Sequence, residues 1–447
     1  MSWKPQEKHL TGLGVQKFDL MSIFFNSDSR PELHRALLTP LENALAEARS
    51  TRSCPSLPDL HWLELGIRRV LMNERSGREF LQRIVDDGDR PISTSLFFES
   101  LKSARRLRLC GEINDRLVCR VRQEMASHLD PFATEASLDG YAIFAGDGHY
   151  LAHACHDRSI LGHNHAVGHF MGLDLRTHAM FRLTTSLHEN SRKREHDMHA
   201  LKRLEPKALR RNTPVGKRVI WVWDRAGIDA KFWSRCKQQH GVYFVSRTKD
   251  NMDVTSYGEL SYDQNAPANN GVTGYHVAII NGERLRRVSY VCPDTGVAYD
   301  FLTSLTQLEP GIIAALYLAR WDIEKVFDET KRKLGEGKSW ATSETAKAIQ
   351  AEMIAMTHNL LLLLERQLEE DHAITNQPED RRRSKRIKKA IVQARERSRS
   401  FAPLVLELMA RKTQRVLKFV RWTRNNLLSS DPLGHLLARL RAVLRVS

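Results

Sequence analysis

Five short strand-like runs separated by helix-like segments constrain the fold of this chain most strongly. They begin at Tyr141 and read YAIFAGD, HYLAHAC, HAMFRLTTSL, KRVIWVWD and VYFVSRT. Strands that alternate with helices build an α/β core, which we predict over residues 136–342. After Lys249, turns rich in Asn and Gly and the runs YHVAIIN, RRVSYVC and AYDFLTSL predict a β-rich insertion over about 249–305.

The regions on either side of this core have helical patterns. Apolar residues recur at helical spacing in ELHRALLTPLENALAEA and WLELGIRRVLM, so residues 1–135 are predicted to form a helical N-terminal region. Residues 343–370 predict a long helix with one apolar face, inside a helical and basic C-terminal region over 343–447. The length is sufficient for two or three domains.

Three basic stretches suggest contact with DNA. In the N-terminal region, two predicted helices are joined by an Asp/Gly/Pro turn, and the second, starting near Ser93, ends in a basic patch. Plain helical packing is the alternative for this pair. Residues 192–211 are expected to form a cationic flank of the core, with a solvated face as the alternative. The run Arg381–Arg399 carries ten Arg or Lys against one acid, so it should lie on phosphate or, as a solvated linker, in solvent. The basic patch of the N-terminal helix pair comprises Lys102, Arg105, Arg106 and Arg108.

The charge of the whole chain favours a polyanionic partner. Its formal net charge is +16 and its pI is near 9.7, with the excess of Arg and Lys spread along the length. A membrane surface is the competing partner, but the longest apolar stretch, around Leu360–Leu364, is far shorter than the roughly 20 residues of a spanning helix. The polar start MSWKPQEKHL has no apolar leader, so we expect a cytoplasmic protein without a membrane partner.

Cysteines and histidines give weaker signals. The six cysteines are widely spread without a C-x-x-C pair, so reduced thiols are expected. Six histidines fall within the stretch 149–169, where a structural zinc site is one hypothesis and phosphate contact or polar filling is the other.

The stretch YLARWDIEKVFDETK places four chemically distinct side chains on one helix face. At about 100° per residue, Tyr317, Arg320, Glu324 and Lys331 fall within a sector about 60° wide. The helix is predicted from near Pro310, a good first-turn residue, to near Gly335. Glu324 and Lys331 are too far apart for the usual helical ion pair. In this stripe of four side chains, the acid is suited to hold a metal ion, and the groups on either side are suited to bind nucleic-acid phosphates.

Two aspartates end core strands. Asp147 closes YAIFAGD and Asp224 closes RVIWVWD, so both are expected at the carboxyl ends of strands, where α/β sheets gather functional groups. Asp139 is an alternative to Asp147, but it precedes its strand. Asp328 lies on the same helix face as Glu324 and is expected to be a supporting group. Three close carboxylates repel one another unless cations compensate them. We therefore expect Asp147, Asp224 and Glu324 to bind two Mg²⁺ or Mn²⁺ ions for displacement at phosphorus.

These residues resemble a DDE transposase of the IS-four insertion-sequence family, whose signature is Y-x2-R-x3-E-x6-K. The resemblance covers roughly Tyr141–Gly335. It implies a ribonuclease-H-like fold with Asp147, Asp224 and Glu324 as metal ligands. It also implies that a homodimer performs cut-and-paste excision at inverted repeats of double-stranded DNA. Water would nick the DNA, the freed 3′-hydroxyl would form a hairpin on the opposite strand, and after hairpin opening it would attack target DNA.

Two departures from the family pattern and two other functions are also considered. Relatives often carry Thr where this chain has His149, and some use a Trp in the insertion to hold a flipped base, for which Tyr257, Tyr262 or Tyr275 is a substitute here. A ribonuclease-H-like nuclease that cuts without transposing is one alternative, and an inactive DNA-binding relative is the other.

Overall fold

The computed structural model describes most of the chain between residues 30 and 445. The described residues are 30–52, 56–72, 76–125, 130–151, 167–186, 197–249, 252, 254–293, 296–321, 323–324, 326–327, 339–341, 343–374 and 418–445.

Nine strands within this part of the chain form one mixed sheet. They are β1 (Tyr141–Leu151), β2 (Val167–Asp174), β3 (Met180–Thr185), β4 (Arg218–Val222), β5 (Val242–Arg247), β6 (Thr255–Glu259), β7 (Val272–Ile280), β8 (Glu283–Val291) and β9 (Ala298–Thr303). Their order across the sheet is β3-β2-β1-β4-β5-β9-β8-β7-β6. Strands β1, β4 and β5 are parallel, and all other neighbouring pairs are antiparallel.

The β-rich insertion extends the central sheet. Its four strands, β6–β9, lie inside the predicted range 249–305, and β9 pairs directly with β5. The β7–β8 hairpin turns through Asn281 and Gly282, both at positive φ, which is the conformation that a two-residue turn between twisted strands requires. The insertion is therefore continuous with β4, which ends two residues before Asp224, and with β1. The prediction that a strand ends at Asp147 was wrong, because β1 pairs with β2 past Asp147 as far as Leu151.

Helices cover the sheet and build the N- and C-terminal regions. They are α1 (Glu32–Ala46), α2 (Asp59–Leu71), α3 (Gly77–Asp86), α4 (Thr94–Ser100), α5 (Ala104–Met125), α6 (Asp197–Arg203), α7 (Ala230–His240), α8 (Pro310–Ala319), α9 (Glu344–His372), α10 (418–426) and α11 (Leu433–Arg445). Helix α9 is the predicted long helix after residue 343, and it packs against α5, β3, α2 and α1. None of the helices in the described ranges has the length and apolar character needed to cross a membrane.

A buried polar network joins α9 to α5 and β3. Glu352 accepts a hydrogen bond from Arg182 at 2.9 Å, while Asn359 donates to Asn114 and to the carbonyl of Met180, both at 2.8 Å. Because buried polar groups are costly unless they are paired, this network fixes the register between helix and sheet. One contiguous hydrophobic cluster also runs from Leu33 in α1 to Leu444 in α11.

Several of the predicted basic stretches are occupied by internal contacts. In the predicted N-terminal patch, Arg105 binds Asp59 through two bonds of 2.8 Å, and the buried Arg106 donates to a backbone carbonyl. The patch does not end the second helix of the pair, as predicted, but lies in the turn after α4 and at the start of α5. Lys102 and Arg108 are exposed and remain candidates for DNA contact.

The basic stretch 192–211 is also largely engaged. Arg210 donates to the carbonyls of His240 and Lys217, and Arg211 pairs with Asp115 at 3.0 Å. Its first residues, 192–196, lie outside the described residues, as does the basic run Arg381–Arg399.

Candidate functional site

Asp147 and Asp224 occupy equivalent positions on neighbouring parallel strands. The last register pair of β1 and β4 is Ala145 with Val222, and each aspartate follows two residues later. Since side chains alternate along extended chain, both carboxylates are directed to the same face of the sheet, at its carboxyl edge. These two carboxylates, at equivalent positions of neighbouring strands, form the first part of the candidate site.

The backbone around Asp224 is fixed by hydrogen bonds. The carboxylate accepts from the N–H of Ala226 at 2.6 Å and so caps the short 3-10 turn Arg225–Gly227. The buried Ser246, on β5, donates its hydroxyl to the Asp224 carbonyl at 2.8 Å. One oxygen of the Asp224 side chain is therefore committed to the turn, and the other is available for a ligand.

The helical segment that carries Tyr317, Arg320 and Glu324, here called the signature helix, differs from the uninterrupted helix predicted for residues 310–335. Helix α8 ends at Ala319, and helical backbone resumes at Trp321. At this point Arg320 N–H donates to Tyr317 and Ile323 N–H donates to Arg320, which are three-residue bonds of the tighter 3-10 type. The predicted continuous helix is therefore interrupted at Arg320.

Arg320 lies between two of the predicted catalytic acids. Its Nη2 donates to Glu324 Oε1 at 2.6 Å, and its Nη1 is 4.0 Å from Asp147 Oδ2. The residue is only 5% exposed. Burial alone would lower the pKa of Arg320, but Tyr317, Glu324 and Asp147 outweigh burial and raise it. The guanidinium is therefore a permanent cation among the acids.

Tyr317 connects the signature helix to Asp224. Burial and the nearby Asp224 carboxylate raise the pKa of the Tyr317 phenol, while Arg320 acts in the opposite direction. The ring also packs on Phe301 of β9, with centroids 5.0 Å apart. Tyr317 is thus a neutral hydrogen-bonding group at neutral pH, held between the acids and the insertion.

A cavity of about 240 Å³ opens beside Asp224. Trp321 is half exposed at this cavity, and Arg247 places its guanidinium 5.2 Å from the centre of the Tyr299 ring. Two guanidinium nitrogens of Arg320, Nε and Nη1, are buried and have no hydrogen-bond acceptor among the described residues. The residues that line this cavity are Asp224, Arg225, Arg247, Tyr299, Tyr317, Arg320 and Trp321. Cations and aromatic rings beside an acid suit a phosphate with its attached base.

Four of these lining residues were not anticipated from the sequence. Arg225 directly follows Asp224, and Trp321 directly follows Arg320, so adjacency to a predicted site residue is a signal for both. Arg247 and Tyr299 end β5 and begin β9, and only the pairing of those two strands brings them to the acids.

The chemistry of the acids fits a divalent cation, since carboxylate oxygens are the preferred ligands of Mg²⁺ and Mn²⁺. Asp147 and Asp224 stand level, and Arg320 draws Glu324 toward Asp147. Within the described residues, however, no three His, Cys, Asp or Glu side chains already form a group that could hold a metal ion. Glu324 would have to exchange Arg320 for the cation to complete such a group.

Some predicted site positions lie outside the described residues. They include Lys331, the last member of the stripe, and Asp328. Most of the histidine-rich stretch falls there as well, so the zinc hypothesis remains a prediction. His169, at its end, is described and buried in β2.

Residues 151–360 match the transposase DDE domain. The match covers just under half of the chain and includes Asp224 and the signature helix with Glu324, whereas Asp147 lies four residues before its start. It supports a transposase, an enzyme class that cleaves nucleic acid. A comparison with curated proteins found no match.

The three insertion tyrosines considered for base stacking are placed differently. Tyr257 lies on the edge strand β6 and is 56% exposed. Tyr275 is buried and accepts a hydrogen bond from Arg286 at 2.6 Å, and Tyr262 packs edge-on against Tyr275. Of the three, Tyr257 offers the most accessible ring to a base.

Proposed function

We propose that this protein is a DNA transposase that excises and inserts an insertion sequence by metal-dependent cut-and-paste chemistry. The observation that carries the proposal is that Asp147 and Asp224 occupy equivalent positions on neighbouring strands, while Arg320 contacts both Glu324 and Asp147. The match to the transposase DDE domain over residues 151–360 supports it independently.

The strand order supports a ribonuclease-H-like core. Three strands in antiparallel order, β3-β2-β1, continue into the parallel pair β4 and β5. Asp147 lies within β1, and Asp224 follows β4 by two residues. The signature Y-x2-R-x3-E, described here through Glu324, supports membership of the IS-four family. The β insertion between the second and third acids agrees with that assignment.

The reaction requires a hard divalent cation, which supplies charge neutralisation and an activated oxygen nucleophile at the acids. We propose two Mg²⁺ or Mn²⁺ ions held by Asp147, Asp224 and Glu324. Tyr317 and Arg320 orient the phosphate to be cut, because their donors face the cavity beside Asp224. Lys331 is proposed to contact a neighbouring phosphate.

The partners proposed are double-stranded DNA, as transposon end and as target, and a second copy of the chain in the DNA complex. The net charge of +16 supports a polyanion. The sequential nick, hairpin and strand-transfer steps belong to the same proposal, and one site serves all of them.

Cleavage and joining of the terminal inverted repeats that flank the coding region provide the test. Purified full-length protein should nick such duplexes with Mg²⁺ or Mn²⁺ and join them to target DNA. Glu324→Gln should reduce the nicking rate by at least about 10³-fold, because it removes a carboxylate from the site. Glu370→Gln, on the exposed side of α9, is the matched control. Undiminished cleavage by Glu324→Gln would exclude the assignment.

The same experiment separates the two alternative functions. A related nuclease would give nicked DNA without joined products. An inactive DNA-binding relative would bind the duplex in a salt-sensitive manner and cut nothing with either metal.

A further inference from the structure

Trp223 directly follows β4, and its side chain lies on the face of the sheet opposite to the two aspartates. It is the residue before Asp224, and only 2% of it is exposed. Its backbone N–H donates to Val245 in β5 at 3.0 Å, which fixes its position in the sheet. Behind it lies Trp221, with ring centroids 5.9 Å apart.

Two glycines make room for the Trp223 indole. A Cβ at Gly146 would lie 2.4 Å from Cζ2 and 2.6 Å from Cε2 of the ring, and a Cβ at Gly227 would lie 2.8 Å from Trp223 Cβ. Neither glycine has a backbone angle that excludes other residues. Space, and not conformation, therefore requires glycine at both positions.

Each of these glycines is linked to one of the acids. Gly146 is the residue before Asp147, and Gly227 closes the 3-10 turn that the Asp224 carboxylate caps. The indole thus touches the backbone of both acid-bearing segments. A change in the size of this ring would shift one segment relative to the other.

We propose that Trp223 is a positioning residue that sets the separation between the Asp147 and Asp224 carboxylates for a shared divalent cation. The inference rests on the proposed function, because it assumes that the acids bind the cation. Trp223 itself lies on the face of the sheet opposite to the acids and is not one of the residues that line the cavity beside Asp224.

An ordinary core role makes a different prediction. If Trp223 only fills space, its truncation lowers stability and leaves the metal affinity of the folded protein unchanged. If it positions the acids, truncation weakens metal binding as well, as seen when groups that orient metal ligands are altered.

The experiment uses full-length protein and three variants: Trp223→Phe, Gly146→Ala and the double variant. Trp223→Phe removes the ring atoms nearest to Gly146, and it breaks no hydrogen bond, since Nε1 has no partner among the described residues. Gly146→Ala adds a methyl group where those atoms lie. The double variant combines the smaller ring with the added methyl group and so restores the contact.

Calorimetric titration with MnCl₂ measures the affinity, with Asp147→Asn as the blank for the site, and thermal unfolding measures stability. We expect each single variant to bind Mn²⁺ at least about tenfold more weakly, and the double variant to recover most of the loss. Trp62→Phe, at a buried site in α2, is the control that should lower stability without changing Mn²⁺ affinity.

Three outcomes contradict the inference. Mn²⁺ affinity equal to wild type in Trp223→Phe, with reduced stability, assigns Trp223 to core packing alone. Loss of affinity in both single variants without recovery in the double variant overturns the size argument. A wild-type protein that shows no more Mn²⁺ binding than Asp147→Asn overturns the proposed function together with this inference.

Discussion

Arg320 and Glu324, one helical turn apart, form an ion pair of 2.6 Å at the edge of the sheet where the predicted catalytic acids gather. The same guanidinium is 4.0 Å from Asp147. A positive side chain thus occupies the space between two carboxylates that we propose as metal ligands.

Replacing Arg320 by Gln should strengthen Mn²⁺ binding and weaken DNA binding. Removal of a cation that competes for the partly exposed Glu324 should tighten Mn²⁺ by about fivefold, equivalent to roughly 1 kcal/mol. Loss of a phosphate ligand should weaken DNA binding at the same time. Calorimetry and a DNA-binding titration measure the two effects, with Arg235→Gln on α7 as control. Unchanged Mn²⁺ affinity would mean that Arg320 does not compete with the cation.

The half-exposed Trp321 should stack on a base at the DNA end. Trp321→Ala should weaken binding of a duplex with unpaired terminal bases by about 1–3 kcal/mol, the usual worth of one stacked base. Tyr257→Ala tests the second accessible ring in the same assay. Tyr275→Phe serves as control because that ring is buried. Equal binding by Trp321→Ala and wild type would remove Trp321 from the DNA interface.

Gly311→Ala should strongly destabilise the fold. A Cβ at Gly311 would lie 1.7 Å from the Ala268 carbonyl oxygen, a backbone atom that cannot move aside cheaply. Asn269 meanwhile binds both Gly311 N–H and the Glu309 side chain, locking the insertion onto α8. We expect a loss of about 3 kcal/mol in urea unfolding. Gly434→Ala, where a Cβ meets open space, should be neutral or slightly stabilising, and equal effects of both substitutions would contradict the close approach.

Stability should fall as the pH drops from about 6.5 toward 4, partly because of His358. This side chain donates to the His178 carbonyl, and burial lowers its pKa from 6.5 to about 4. In that interval the unfolded chain binds the proton and the folded chain does not, so stability is full above pH 6.5 and declines below it. The full loss at pH 4 is roughly 3 kcal/mol.

Unfolding measured across this range in wild type and His358→Gln tests the effect. The variant should lose less stability between pH 6.5 and 4 than wild type, whereas Thr357→Ser, at an adjacent buried position, should keep the wild-type pH dependence. Parallel pH curves for His358→Gln and wild type would show that His358 is not the group responsible.

The placement of the two aspartates could be predicted only in part from local pattern. The apolar run before Asp224 correctly identifies the end of β4, whereas Asp147 does not end β1, which continues to Leu151 through pairing with β2. Parallel pairing of β1 and β4 nevertheless brings Asp147 and Asp224 to equivalent positions. The start of α8 at Pro310 was likewise predictable, because proline at the first helical position is a local signal.

Other parts of the site depend on long-range pairing that a single sequence does not encode locally. A helical wheel places Arg320 and Glu324 on one face, but it does not reveal that the guanidinium is buried or that the helix is interrupted there. Arg247 and Tyr299 reach the cavity only through the antiparallel pairing of β5 and β9. Similarly, positive charge along the sequence does not distinguish Arg105, bound to Asp59, from an arginine that is free to bind DNA.

The continuity of the sheet fixes the distance between the candidate site and the far edge of the insertion. From β4, which ends two residues before Asp224, to the edge strand β6, which carries Tyr257, there are five strand-to-strand steps. At about 4.8 Å each, they amount to roughly 24 Å, a length comparable to about seven base pairs of DNA. Under the proposed function, a contact made at Tyr257 would therefore be held at a fixed distance from the proposed cleavage position, which would let the protein locate the end of the element.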